Sequence, residues 1–159
     1  MTSKSLCFAV RFATLSTAIC ALIILVLVLP SYGQALISAN PQLSGWYFPW
    51  LIFTWVVSIP CFAVLVLVWL VSIAMKRDEV FTEITARRIQ TSALLLFADV
   101  GLFLFGNIVL ALLRMNDSIT ILLSLILAIF VIALGLMASV LSRYIAKAAV
   151  LQEESDGTI

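Results

Sequence analysis

Histidine is absent from this 159-residue chain, and with it goes the commonest ligand for zinc, copper and haem iron and the commonest general base at neutral pH. Charge is scarce as well, at 11% of residues, while 64% are hydrophobic, too little polar surface to coat a soluble globule of this size. The three cysteines, Cys7, Cys20 and Cys61, show no CxxC spacing and no even set, so neither a disulfide framework nor a metal knuckle is readable. No glycine-rich phosphate loop, no pair of close intramembrane acids and no serine or threonine beside a base occurs, so the expectation is a chain that is not an enzyme and carries no cofactor, catalytic residue or metal.

What is present is long apolar runs. Residues 6–29 hold one charge in 24 positions, enough at ~1.5 Å per residue to exceed the ~30 Å hydrocarbon core of a bilayer. A secretory signal is the competing reading, with Lys4 and Arg11 as its basic region and Ser31-Tyr32-Gly33 as a cleavage site. The uninterrupted run from Phe12 to Leu29 is longer than such a signal's core, and it favours a retained span. Pro30 is expected to stop that helix, and an uncharged loop then leads to Trp46, Tyr47, Phe48 and Trp50, an aromatic belt for the headgroup level. Further spans are expected at about 50–74, bent at Pro60, at 91–113 and at 119–141, with a tight turn at 114–118 capped by Asp117 or Ser118.

The fold class expected is therefore all-α, an integral membrane bundle of four transmembrane helices in one domain, 1–159. A loop at 75–90 divides two hairpins, and a tail follows from 142 to 159. Lys4, Arg11, Lys76, Arg77, Arg87, Arg88, Arg143 and Lys147 lie at one end and Arg114 alone at the other, so the positive-inside rule sets both the N and C termini in the cytoplasm. In the loop, Thr82 is a candidate N-cap, with Glu83 and Arg87 an i,i+4 pair in the favourable order.

A few polar residues lie at hydrocarbon depth. Asp99 sits eight residues into the third span, where an acid is expensive and by default marks a proton or cation step, the alternative being a carboxyl that joins helices by a hydrogen bond. Counted from the outer ends, Ser16 and Thr17 share its depth, which predicts a bond between the first and third spans. Arg143 is too shallow to reach it, and Arg11 is expected to snorkel toward the headgroups. Ser92, Asp99 and Gly106 recur every seven residues with Asn107 at the edge. Small stripes also run along the first span (Ala9, Ala13, Thr17, Cys20) and the fourth (Ser124, Ala128, Gly135, Ser139), the pattern by which membrane helices approach closely.

Two segments at the basic end carry a resemblance. EVFTEITARRIQ before the third span and the ending AVLQEESDGTI resemble bacterial domain-of-unknown-function family 2975, small four-helix membrane proteins with a phenylalanine and threonine ahead of the third helix and a terminal pattern like LQEENDLTI. Phe81 and Thr82 stand at the first motif. Leu151, Gln152, Glu153, Glu154, Asp156, Thr158 and Ile159 match the second, while Ser155 and Gly157 replace the usual asparagine and leucine. The resemblance implies no defined chemistry. Its genes often neighbour that of a small helix-turn-helix regulator of the Cro type, which implies membrane control of a transcription factor. Together these readings give a noncatalytic regulator in the bacterial cytoplasmic membrane. Its partners are the lipid bilayer and a cytoplasmic regulator protein bound through Phe81, Thr82, Arg87, Arg88 and the tail, without direct nucleic-acid binding. The rivals are a transport or channel component using Asp99, Asn107 and the Pro60 bend, and a structural subunit of a membrane complex. Bottom-up, the acidic tail could bind a basic partner, end as a solvated helix or fold back on the central loop.

Overall fold

The computed structural model describes residues 3–39, 41–76, 80–112 and 118–156, the backbone alone at 3, 4, 6, 43, 118–120 and 153–156. Every described residue outside 80–82 is helical. The elements are α1 (Ser3–Ile23), a π segment (Ile24–Val28), α2 (Leu29–Ala39), a 3-10 segment (Pro41–Trp46), α3 (Tyr47–Lys76), α4 (Glu83–Leu112) and α5 (Ser118–Asp156). Four helices, Cys7–Ala39, Ser44–Lys76, Glu83–Leu112 and Ile121–Gln152, are long and apolar enough to cross a membrane.

Pro30 does not stop the first helix, contrary to expectation. Proline removes one N–H and its ring presses on the carbonyl four residues back. Here the helix widens into the π segment just before it, where the Leu29 N–H reaches the Ile24 carbonyl five residues back, and the chain continues helically to Ala39. Most of the expected outer loop is therefore helix. Gly33 of α2 is buried against the Tyr47 and Trp50 rings at the start of α3, where a Cβ would come within 2.8 Å of the Tyr47 Cε2. The aromatic belt thus joins the first hairpin, and Phe48 stays exposed. Helix α3 runs unbroken through Pro60. The turn expected at 114–118 and its capping side chains lie outside the described residues.

Packing follows chain order. Helix α4 makes its most extensive contacts with α5 and then with α3, and α1 packs on α3. What is buried is small: Cys7, Ala74, Ala86, Ala93, Val100, Ala128 and Ala149, with Ile145 the one large aliphatic, beside the polar Thr14, Ser72, Thr85, Ser92, Asp99 and Ser142. Leucines and phenylalanines such as Leu122, Leu123, Phe105 and Phe130 point outward. A water-soluble domain of this composition would invert that order. In lipid, large apolar side chains gain nothing by leaving the surface, and helices associate where small residues let their backbones meet.

The stripes expected on the third and fourth spans are the ones that meet. Gly106 faces the Phe53 ring of α3, and Gly135 of α5 faces the Phe97 ring, whose Cε1 would lie 2.9 Å from a Cβ there. Ala128 is 2% exposed. The stripe expected on the first span faces away from the protein: Ala9, Ala13, Thr17 and Cys20 are exposed, while Cys7 and Thr14 are buried and Val10, Arg11, Ala18 and Ala21 half-buried. The buried face lies a quarter-turn or so round the helix from the small one, because Arg11 and Cys7 have partners on α3 and fix its rotation.

At the basic end, α4 and α5 run on as a pair. With 30 and 39 residues they measure ~45 and ~58 Å, well beyond a ~30 Å core. The Ser142 hydroxyl donates to the Ala86 carbonyl at 2.8 Å, and Thr85 and Ala86 lie buried in this pair with Ile145 and Ala149. Residues 142–156 therefore belong to α5 and continue it without a break.

Candidate functional site

Three polar constellations stand out. The deepest is Asp99, which the seven-residue seam of α4 turns inward; it is 9% exposed. Its partner is Cys61 of α3, whose Sγ donates to Oδ2 at 3.2 Å, and its Oδ1 is buried with no hydrogen-bond partner. The bond expected from the first span is absent: Ser16 donates to the Phe12 carbonyl of its own helix at 2.9 Å, and Thr17 is exposed. Equal depth was not enough, since α3 stands between α1 and α4 as the helix that touches both. Near the aromatic end, the Asn107 amide donates to the Phe103 carbonyl and its Oδ1 accepts from Ser124 at 2.9 Å, a cross-link between α4 and α5.

The second constellation surrounds the last turns of α3. Arg11 does not snorkel away. Its Nε donates to Ser72 Oγ at 3.2 Å, its guanidinium lies 5.5 Å from the centre of the Trp69 ring, and the neighbouring Cys7 Sγ donates to the Ser72 carbonyl at 3.1 Å. From α4, Arg88 Nη1 reaches the Leu70 carbonyl at 3.5 Å. Helix ends expose carbonyls that cations satisfy, and this draws both side chains inward.

The third lies at the start of α4 and the end of α5. Thr82 caps α4 as expected: its Oγ1 accepts from the Thr85 N–H at 3.3 Å and its carbonyl from the Ala86 N–H at 3.0 Å. This accounts physically for a threonine at the first motif. Arg87 pairs with Glu83 at 2.8 Å, an exposed pair of small energetic weight. Phe81 and Leu151 are exposed at 54% and 66%, and Gln152 is exposed too. Glu153, Glu154 and Asp156 are helical in backbone, while Thr158 and Ile159 lie outside the described residues. Replacing Thr82 with alanine is expected to cost about 1 kcal/mol, read as a lower unfolding midpoint in detergent, with Thr82→Ser near wild type.

The profile described as a protein of unknown function, DUF2975, matches residues 31–159, more than half of the chain and both motif segments. The chain belongs to the DUF2975 family. Within that match fall Cys61, Asp99, the Asn107–Ser124 link and the α4–α5 pair, whereas Cys7 and Arg11 precede it. No curated protein and no solved structure matches the chain. Among the described residues, no group of three or more Cys, Asp or Glu side chains is placed to hold a metal ion.

Sequence reasoning missed Cys61, Trp69, Ser72 and Ser142. A signal for Cys61 was present: it lies 15 residues before Lys76, where α3 ends, and Asp99 lies 16 after Glu83, where α4 begins, so the two sit level across the hairpin.

Proposed function

We propose that this DUF2975 chain is a noncatalytic, membrane-anchored regulator. Its basic end faces the cytoplasm of a bacterial cell, by the eight-to-one distribution of basic residues, and engages a cytoplasmic protein there. The observation that carries this reading is the α4–α5 pair. Ser142, Ile145 and Ala149 zip α5 onto α4, and beyond them the helix continues to Asp156 with Val150 and Leu151 exposed, close to Phe81 and Ile84 where α4 begins. Large apolar side chains at the tip of a helical pair that outruns the bilayer are offered to water, and an amphipathic helical surface of that kind is a common protein-docking form. The partner proposed is a small helix-turn-helix regulator, which the family resemblance implies. The basic residues of this end lie at the membrane surface, so nucleic acid is reached only through that partner.

The test is affinity purification of the tagged full chain from its native membranes in mild detergent, beside a version lacking Leu151 to Ile159. The helix-turn-helix protein is expected with the first and at least tenfold depleted with the second. Two folded versions that both bring down nothing soluble would sink the reading.

One observation favours a second reading, a transport component: Asp99 Oδ1 is buried and unpartnered inside the apolar part of the bundle. Asp99→Asn in proteoliposomes tests it, since a proton or cation flux that depends on this carboxyl disappears, and a regulator shows none in either form.

A further inference from the structure

The arginines around the last turns of α3 have more donors than the protein uses. Arg11 spends Nε on Ser72 and lays its plane by Trp69, which leaves both Nη groups without a protein partner. Arg88 gives Nη1 to the Leu70 carbonyl at the long distance of 3.5 Å. Among the described residues the one ion pair is Arg87 with Glu83, so neither guanidinium is matched by a carboxylate. Asp99 is no candidate, since it stands eleven residues along α4 from Arg88, ~16 Å deeper.

Their depth is common. Leu70 and Ser72 are two residues apart, ~3 Å along α3, so both arginines stand at one level, one reaching α3 from α1 and the other from α4. That level is about one turn short of Lys76, where α3 ends, and holds Trp69, whose amphipathic ring belongs at the headgroup boundary. The cluster is also built. Cys7 Sγ and the Arg11 side chain both fasten α1 to Ser72, which is 0% exposed, and the Trp69 face fixes the guanidinium plane.

We propose that Arg11 and Arg88 form a site for the phosphate of an anionic phospholipid in the leaflet at the basic end. The guanidinium fork matches phosphate oxygens two at a time. Two such charges without a carboxylate favour a headgroup of net negative charge over a zwitterionic one, whose own cation they repel. The acyl chains lie along the outward leucines and phenylalanines of the bundle. The site does not depend on which side of the membrane the basic end faces.

Native mass spectrometry of the full chain, released from nanodiscs of equal phosphatidylglycerol and phosphatidylcholine, tests the site. The expected result is a phosphatidylglycerol adduct in excess. Arg11→Gln and Arg88→Gln each lower that excess about fivefold, the weight of one basic residue at an anionic surface. Arg11→Lys and Arg88→Lys retain most of it, and Arg143→Gln, at an exposed position on α5, leaves it unchanged. Thermal midpoints of all variants in neutral detergent establish that each is folded. Equal adducts of the two lipids in the wild type, or a loss in Arg143→Gln as large as in Arg11→Gln, overturns the proposal. So does displacement of the lipid by millimolar inorganic phosphate together with phosphate stabilisation of the lipid-free protein, which assigns the site to a soluble anion.

Discussion

Gly106→Val is expected to lower the stability of the bundle by about 2–3 kcal/mol, the upper part of the range for overpacking. The reason is local. A Cβ built at Gly106 runs into the Phe53 ring, meeting Cζ, Cε1 and Cε2 together, so the ring tip points straight at the α4 backbone. The crowded contact is the closest approach of α3 to α4, and it lies beside an apolar crevice lined by Trp46, Pro49, Trp50, Phe53, Phe105 and Val109 that encloses about 530 Å³. Relief requires Phe53 to swing toward that crevice or the helices to part. Because the strain is shared by two named side chains, Phe53→Ala is expected to rescue Gly106→Val, with a coupling of at least 0.5 kcal/mol in the double-mutant cycle. Thermal or denaturant midpoints of the four proteins in one detergent supply the measurement. Simple additivity would mean that the ring and the glycine do not meet.

Much of this architecture was legible, and the reasons are physical. Apolar runs of sufficient length have one solution in lipid, a helix that satisfies its own backbone, which is why four spans were readable from hydropathy alone. The Ser92–Asp99–Gly106 seam was readable because a seven-residue recurrence keeps one face of a helix turned to a neighbour, and all three residues are buried. The same argument failed on the first span. There Ala9, Ala13 and Thr17 are small enough for close packing, but the polar anchors Arg11 and Cys7 set the rotation, and a small stripe names a face that can pack without saying that it does.

Two further misreadings share a cause. Pro30 was expected to end a helix because the rule treats proline in isolation; the five residues before it, ILVLV, absorb it by widening one turn, and no residue type in that run advertises the change. Asp99 was paired with the first span by depth, measured from the outer ends. Measuring from the shorter connection at the basic end, across the hairpin that chain continuity makes adjacent, finds Cys61, and the same count finds Phe53 opposite Gly106 and Leu70 near Arg88. Depth alone does not select a partner in a bundle; sequential neighbours do so first.

Asp99→Val is expected to leave the bundle as stable as wild type or to stabilise it by about 1–2 kcal/mol, which is an unusual expectation for a buried position. Valine is close to aspartate in size, so the seam between α3 and α4 stays filled. The substitution removes Oδ1, a buried acceptor without a partner, and such an atom costs about 1–3 kcal/mol. Against that stands the Cys61 thiol, which loses the Oδ2 acceptor at 3.2 Å; a thiol is a weak donor and tolerates apolar surroundings. Asp99→Asn keeps an oxygen for Cys61 but places an amide N–H₂ where the orphan oxygen was, so it ranks below valine. The measurement is the unfolding midpoint of the three proteins in the same detergent, with Cys61→Ala as a fourth that shifts little. A loss above about 2 kcal/mol in Asp99→Val would mean that the carboxyl holds the helices together more firmly than one thiol contact explains. The expected ordering carries the opposite meaning: a carboxyl held against the stability of its own helix pair is maintained for something other than packing, and the flux measurement on Asp99→Asn then decides between a proton or cation step and the regulator.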